Sequence, residues 1–146
     1  MSRENVEIVR ALIEVFLSGT SESDREDTLS KSAEGWDPAI ELDASDSPVL
    51  DINGVYRGRA AVQEFWREWL AAWETIRFDY HLIDAGDRIV QLFNLRMRGR
   101  STGIELPFGN LAWLYKLKDG LVVYQKLYMS HSEALEAVGL SEQPPA

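Results

Sequence analysis

The stretch from Leu111 to Leu140 is the feature that most constrains how this chain can fold. Two runs rich in Leu, Val, Tyr and Trp meet at Lys118-Asp119-Gly120, and a short terminal helix is expected after the second run. Asp-Gly between apolar runs is the strongest short-range hairpin signal, because glycine adopts the positive φ of a tight primed turn without steric cost. Both arms contain few strand-breaking residues, so we expect this hairpin to lie inside a sheet.

Amphipathic helices earlier in the chain are suited to cover that sheet. Val6, Val9 and Phe16 recur at helical spacing, and Gly19 is expected to end this first helix. The clearest helix is predicted from Arg59 to Trp73. One stripe of it contains Val62, Phe65, Trp66, Trp69 and Trp73. Such an aromatic stripe must be buried, and a sheet is the surface available.

The second half of the chain supplies the rest of the sheet. A second hairpin is predicted from Ile76–Asp84 and Arg88–Arg98, joined about Ala85-Gly86-Asp87, and the segment Ile104–Leu117 returns beside it. Helices followed by a long antiparallel meander specify an α+β fold with the helices packed on one face of a curved sheet.

Length and composition limit the organisation and the partners of the protein. We expect one domain over residues 1–140 and a frayed tail over 141–146. The net charge of −9 argues against nucleic acid and an anionic membrane surface, since both require clustered Lys and Arg. The chain has no cysteine, no signal pattern and no apolar run of roughly 18–20 residues, so a cytoplasmic protein without a membrane span is expected.

Several short sequence segments resemble those of one known protein family. They are Tyr56-Arg57-Gly58-Arg59, Asp84-Ala85-Gly86-Asp87-Arg88, Lys118-Asp119-Gly120 and the ending Glu133-Ala134-Leu135-Glu136-Ala137-Val138-Gly139-Leu140. Together with the order of elements, they are similar to the SnoaL-like branch of the nuclear-transport-factor-2-like superfamily. The resemblance implies a cone-shaped barrel, made of a strongly curved, mostly antiparallel sheet packed on N-terminal helices, with an internal pocket. It also implies a homodimer and a range of roles, which include ketosteroid isomerases, polyketide cyclases, epoxide hydrolases and pocket-binding domains.

Asp43 is the first candidate for a catalytic residue. The run Ala39-Ile40-Glu41-Leu42-Asp43 resembles the segment in which ketosteroid isomerases have their general-base aspartate. A carboxylate in apolar surroundings at a pocket mouth can abstract a proton beside a carbonyl. The alternative is that Asp43 only ends a strand. The resemblance places an oxyanion-stabilising tyrosine at Phe16 and a second aspartate near Ala112 or Trp113, so both of these partners are missing here.

His81 is the second catalytic candidate, because a histidine that points inward can act as a general acid or base. Strand alternation places it either in the pocket or on the outer surface. A wider set of mostly aromatic residues is predicted either to contact a ligand or to fill the core. It comprises Phe16, Trp36, Tyr56, Trp66, Trp69, Asn94, Trp113 and Tyr128.

These observations predict a pocket protein for a small apolar molecule. One interpretation is an acid–base isomerase, cyclase or hydrolase acting on an apolar, carbonyl-bearing substrate of polyketide or terpenoid type. The alternative is a ligand-binding or structural homodimeric domain without turnover. No metal or cofactor is expected, because His81 and His131 lie far apart in the sequence and no phosphate-binding glycine loop occurs.

Overall fold

A computed structural model of the protein describes residues 2–18, 24–47, 54–99 and 103–140. The helices are α1 (Ser2–Ser18), α2 (Arg25–Ala33), α3 (Arg59–Ala72) and α4 (His131–Ala137). The strands are β1 (Trp36–Asp43), β2 (Val55–Arg57), β3 (Trp73–Ala85), β4 (Arg88–Gly99), β5 (Glu105–Lys118) and β6 (Leu121–Tyr128). The helix end predicted at Gly19 and the tail predicted over 141–146 lie outside the described residues.

The six strands form one mixed, mostly antiparallel sheet in the order β2-β1-β6-β5-β4-β3. Only the pairing of β1 with β6 is parallel within the described sheet. Register shifts interrupt β4–β5 between Leu95 and Arg96 and β5–β6 between Lys116 and Leu117. Such irregularities bend a sheet. The predicted α+β class is confirmed.

The turns form where the sequence predicts them. Asp119 has a φ of 53° and Gly120 a φ of 79°, and Lys118 pairs with Leu121 across the turn. Two successive residues with positive φ are typical of a type I′ turn, which suits the twist of the strands. Gly86 likewise has a φ of 85° at the β3–β4 turn. The long helix ends one residue earlier than predicted, because Trp73 begins β3.

The sheet has two different faces. The inner face packs against α1 and α3 and forms the main core, which includes Ile89 and Phe93 of β4, Val9 of α1 and Phe65 of α3. The outer face carries a smaller cluster in which Val90 and Ala112 pack against α4. Since side chains alternate along a strand, a one-residue difference in position decides which face a residue serves.

Candidate functional site

A cavity of about 100 Å³ lies between the inner face of the sheet and helices α1, α2 and α3. Its aromatic residues come from both helices and strands, and its polar residues are few and uncharged. The phenylalanine and tryptophan residues of the lining are Phe16, Trp36, Trp66, Trp69, Phe93 and Trp113. The residues counted as polar are Ser32, Gln91, Gln125 and Tyr115, the last because of its hydroxyl group. An apolar lining with a small number of polar groups is the usual composition of a ligand site.

Tryptophan and phenylalanine rings form one wall of the cavity. The ring centroids of Trp66 and Trp113 are 5.6 Å apart, and Phe16 meets Trp66 edge to face at 5.2 Å. Trp113 is only 7% exposed, whereas Phe16 and Trp66 are partly exposed. Among the aromatic residues of the lining, Phe16 and Trp66 therefore extend to the surface. Aromatic pairs of this geometry stabilise the wall by about 0.5–1.5 kcal/mol beyond the burial of their area.

The first polar group of the lining is a buried hydrogen-bonded pair. The Tyr115 hydroxyl donates to Gln91 Oε1 at 2.5 Å, and both residues are buried. Burial, with a smaller contribution from nearby Tyr80, raises the pKa of Tyr115 far above its usual value. Tyr115 is consequently protonated and neutral, so it supplies hydrogen-bonding capacity without charge.

The second polar group is the Gln125 amide, which lies directly across the β5–β6 pair from Tyr115. Gln125 is 4% exposed and lines the cavity. Among the residues that the structure describes, none makes a hydrogen bond with the Gln125 side chain. Because Gln125 lines the cavity, its amide is available to a hydrogen-bonding partner there.

No described residue of the lining is Asp, Glu, His, Lys or Arg. Over the described ranges no group of three or more His, Asp or Glu side chains is arranged to hold a metal ion. The cavity thus offers hydrogen bonds and aromatic surface, but no described carboxylate or imidazole for proton transfer.

Asp43 does not line this cavity. Ile40 and Leu42 of the same strand point into the inner core, so strand alternation directs Asp43 to the outer face. There its carboxylate accepts hydrogen bonds from Lys126 Nζ at 3.1 Å and from the Ser45 hydroxyl at 2.6 Å. Partial burial acts to raise the pKa of Asp43, but the hydrogen bonds from Ser45 and Lys126 outweigh it and hold the pKa below its usual value. Asp43 was expected at the mouth of the pocket, and the structure places it on the outer face of the sheet instead.

The other predicted residues separate into two groups. Phe16, Trp36, Trp66, Trp69 and Trp113 come together around the cavity. The structure thus brings together most of the aromatic part of the predicted set.

The remaining four predicted residues lie elsewhere. His81 is exposed on the outer face, where it pairs with Leu92. Asn94 is also exposed and donates to Asn110 Oδ1 at 3.0 Å. Tyr128 packs with the outer cluster, and the Tyr56 ring packs on Phe65 at 5.0 Å without lining the cavity.

Sequence reasoning did not identify Ser32, Gln91, Tyr115 and Gln125. A signal was available for Gln91, which shares its strand parity with the inward residues Ile89 and Phe93. Glutamine at an inward position of an otherwise apolar strand is unusual enough to indicate a buried polar site.

A model of the SnoaL-like domain matches residues 9–125, and the chain belongs to this family. No curated protein matched the chain in a sequence comparison. Within the described ranges, no helix is both long and apolar enough to cross a bilayer.

Solved structures of the same fold cover nearly the whole chain. An NTF2-like protein of unknown function from Burkholderia pseudomallei has a TM-score of 0.71 at 20% identity, covering 95% of this chain and 99% of its own. A candidate SnoaL-like polyketide cyclase from Jannaschia sp. has a TM-score of 0.69 at 18% identity, with 99% and 96% covered. TerC, co-crystallised with polyporic acid, has a TM-score of 0.69 at 17% identity, with 92% and 98% covered. At these identities the likeness concerns the fold, and it agrees with the predicted cone.

Proposed function

We propose that this protein binds one small, flat and largely apolar molecule in its inner cavity, and that it acts there as a binding protein. The observation on which this proposal depends is the uncharged aromatic lining formed by Phe16, Trp66, Trp69 and Trp113. Tryptophan rings offer a large, rigid apolar surface on which a flat ligand stacks. The relative that was crystallised with polyporic acid supports a small-molecule pocket in this fold.

Binding is favoured over acid–base catalysis by the position of the titratable groups. A general base must lie within hydrogen-bonding reach of the proton that it removes. Asp43 and His81 are on the outer face, and the described lining offers no other carboxylate or imidazole. Tyr115 is neutral and already donates to Gln91, so it is a poor base.

The size of the cavity limits the ligand to about one ring. An engineered apolar cavity of about 150 Å³ in another protein binds benzene. This cavity has about 100 Å³ as it stands, and Phe16 and Trp66 of its lining are partly exposed. A single-ring ligand would therefore need only a small displacement of these two side chains.

Filling the cavity tests the proposal, and toluene is a suitable probe. Ser32→Leu places a larger side chain in the lining, and Ser30→Leu makes the same change at an exposed position of α2. In titrations followed by the indole N–H resonances of the tryptophans, we expect toluene to bind the parent protein and the Ser30→Leu variant alike. Ser32→Leu should weaken binding at least about tenfold, which corresponds to about 1.4 kcal/mol. Equal affinity in all three proteins, or no binding by the parent protein, would contradict the proposal.

The homodimer implied by the family resemblance remains a prediction. Sedimentation velocity over a wide range of protein concentration is the direct test. A species of twice the chain mass supports the homodimer, and a monomer at every concentration removes it.

A further inference from the structure

We infer that the molecule bound in this cavity is neutral and has a carbonyl or carboxamide group that hydrogen-bonds to Gln91 and Gln125. This inference rests on the proposed function and narrows it to a chemical class. It excludes pure hydrocarbons as the preferred ligand, and it also excludes carboxylates. Its basis is the hydrogen-bonding capacity that remains in the lining after the internal bonds are counted.

Gln91 provides the donor. Its Oε1 accepts the hydrogen bond from the Tyr115 hydroxyl, so that oxygen is occupied. The amide nitrogen then has two N–H groups, and among the described residues none accepts from them. Because Gln91 is 3% exposed and lines the cavity, a carbonyl oxygen of a ligand is well suited to accept from it.

Gln125 provides both a donor and an acceptor. It is buried opposite Tyr115 on the neighbouring strand, and its side chain has no hydrogen bond within the described part of the chain. An amide can bind another amide through one N–H and one carbonyl. A carboxamide in the cavity therefore matches Gln125 better than a ketone does, because it supplies both complementary groups.

The uncharged lining explains why the ligand must be neutral. The described lining residues include no Lys, Arg or His that could pair with an anion, and no Asp or Glu that could pair with a cation. Moving an unpaired ion out of water into an apolar site is strongly unfavourable. Lys126, the nearest strand neighbour of Gln125 with a positive charge, pairs with Asp43 on the outer face.

Two probes of almost the same shape test the charge selectivity. Benzamide is neutral at pH 7, whereas benzoate has the same ring and a carboxylate in place of the amide. We expect benzamide to bind the parent protein at least about tenfold more tightly than benzoate. Benzoate binding as tightly as benzamide would overturn the inference.

Gln125→Leu tests the hydrogen bond while it keeps a side chain of similar size. Benzamide affinity should fall at least about fivefold, because leucine can neither donate to nor accept from the carboxamide, and toluene affinity should stay the same or rise. Asn110→Leu, which removes an exposed amide that bonds with Asn94, is the matched control and should change neither affinity. Unchanged toluene binding also shows that the variant is folded.

The outcomes separate this inference from the proposed function. An equal loss for benzamide and toluene in Gln125→Leu would mean that Gln125 only packs, and would overturn the inference while leaving the cavity as a binding site. Binding of neither benzamide nor toluene to the parent protein would overturn the proposed function and the inference with it.

Discussion

The two faces of the sheet use polar side chains in opposite ways. On the inner face Gln91, Tyr115 and Gln125 are buried and uncharged, and Gln125 lacks a described partner. On the outer face Asp43 and Lys126 are charged, partly exposed and paired with each other. A polar group that is hydrogen-bonded within the protein stabilises the fold, while one with unused hydrogen-bonding capacity can bind a ligand.

This difference determines which residues are suited to function. The Asp43 carboxylate accepts from the Ser45 amide at 3.0 Å and hydroxyl at 2.6 Å, and from Lys126 at 3.1 Å. These bonds favour the ionised form and lower its pKa, so Asp43 holds β1 to β6 and is a weak base. The inner glutamines line the cavity, and we propose that they serve recognition there.

The largest difference between the faces should appear when one leucine on each face is shortened. Leu127 is 2% exposed on the inner face, whereas Leu92 is only partly buried on the outer face. We expect Leu127→Ala to lower the free energy of unfolding by about 2–5 kcal/mol, and Leu92→Ala by about 1–2 kcal/mol, because less apolar area is lost. Urea denaturation measures both values. Equal losses would show that the outer cluster is as tightly packed as the inner core.

A smaller effect is expected from the outer ion pair. Asp43→Asn should lower the free energy of unfolding by about 1 kcal/mol, since the pair is partly exposed and screened by water. The control is Glu41→Gln, on the same strand as Asp43, which breaks the more exposed ion pair between Glu41 and Arg57 of β2. This variant should lower the free energy of unfolding by no more than about 0.5 kcal/mol. Both variants should bind toluene as the parent protein does. A loss of toluene binding in Asp43→Asn alone would place Asp43 in the site.

The contribution of Asp43 should also depend on pH. Its pKa in the folded protein lies below the ordinary value of 3.8, so its stabilisation is complete above that value and is lost as the pH falls through the folded pKa. The difference in stability between the parent protein and Asp43→Asn should therefore be constant near neutral pH and shrink in acid. Denaturation at a series of pH values measures it, and a difference that grows in acid would reverse the assignment.

The smallest effect is expected from His81, which is exposed on the outer face. His81→Gln should change the free energy of unfolding by no more than about 0.5 kcal/mol and leave toluene affinity unaltered, because surface substitutions remove few contacts. The same titration and denaturation experiments measure both quantities. A marked loss of toluene affinity in this variant would show that His81 contributes to the binding site.

Local signals are sufficient to predict the hairpins and the aromatic helix. Asp119 and Gly120 form their turn through their own backbone preferences, which depend little on the rest of the fold. The face of Asp43 also follows from its neighbours, because strand alternation from Ile40 and Leu42 gives the correct face where the resemblance to ketosteroid isomerases does not.

The position of Gln125 is harder to predict. It follows Tyr124 and precedes Lys126, both of which are suited to an outer face, and a register shift between Lys116 and Leu117 separates it from the turn. Counting positions from Gly120 across such an irregularity does not give the correct face. Its contact with the cavity follows only from the packed sheet.

Intermolecular nuclear Overhauser effects between bound benzamide and the aromatic side chains test most directly whether the inner face is the binding face. We expect effects from the benzamide ring to Trp66 and Trp113, which line the cavity, and to the Gln125 side-chain amide. No effect is expected to Tyr128 on the outer face. Effects to Tyr128 without any to Trp66 or Trp113 would contradict the assignment of binding to the inner face.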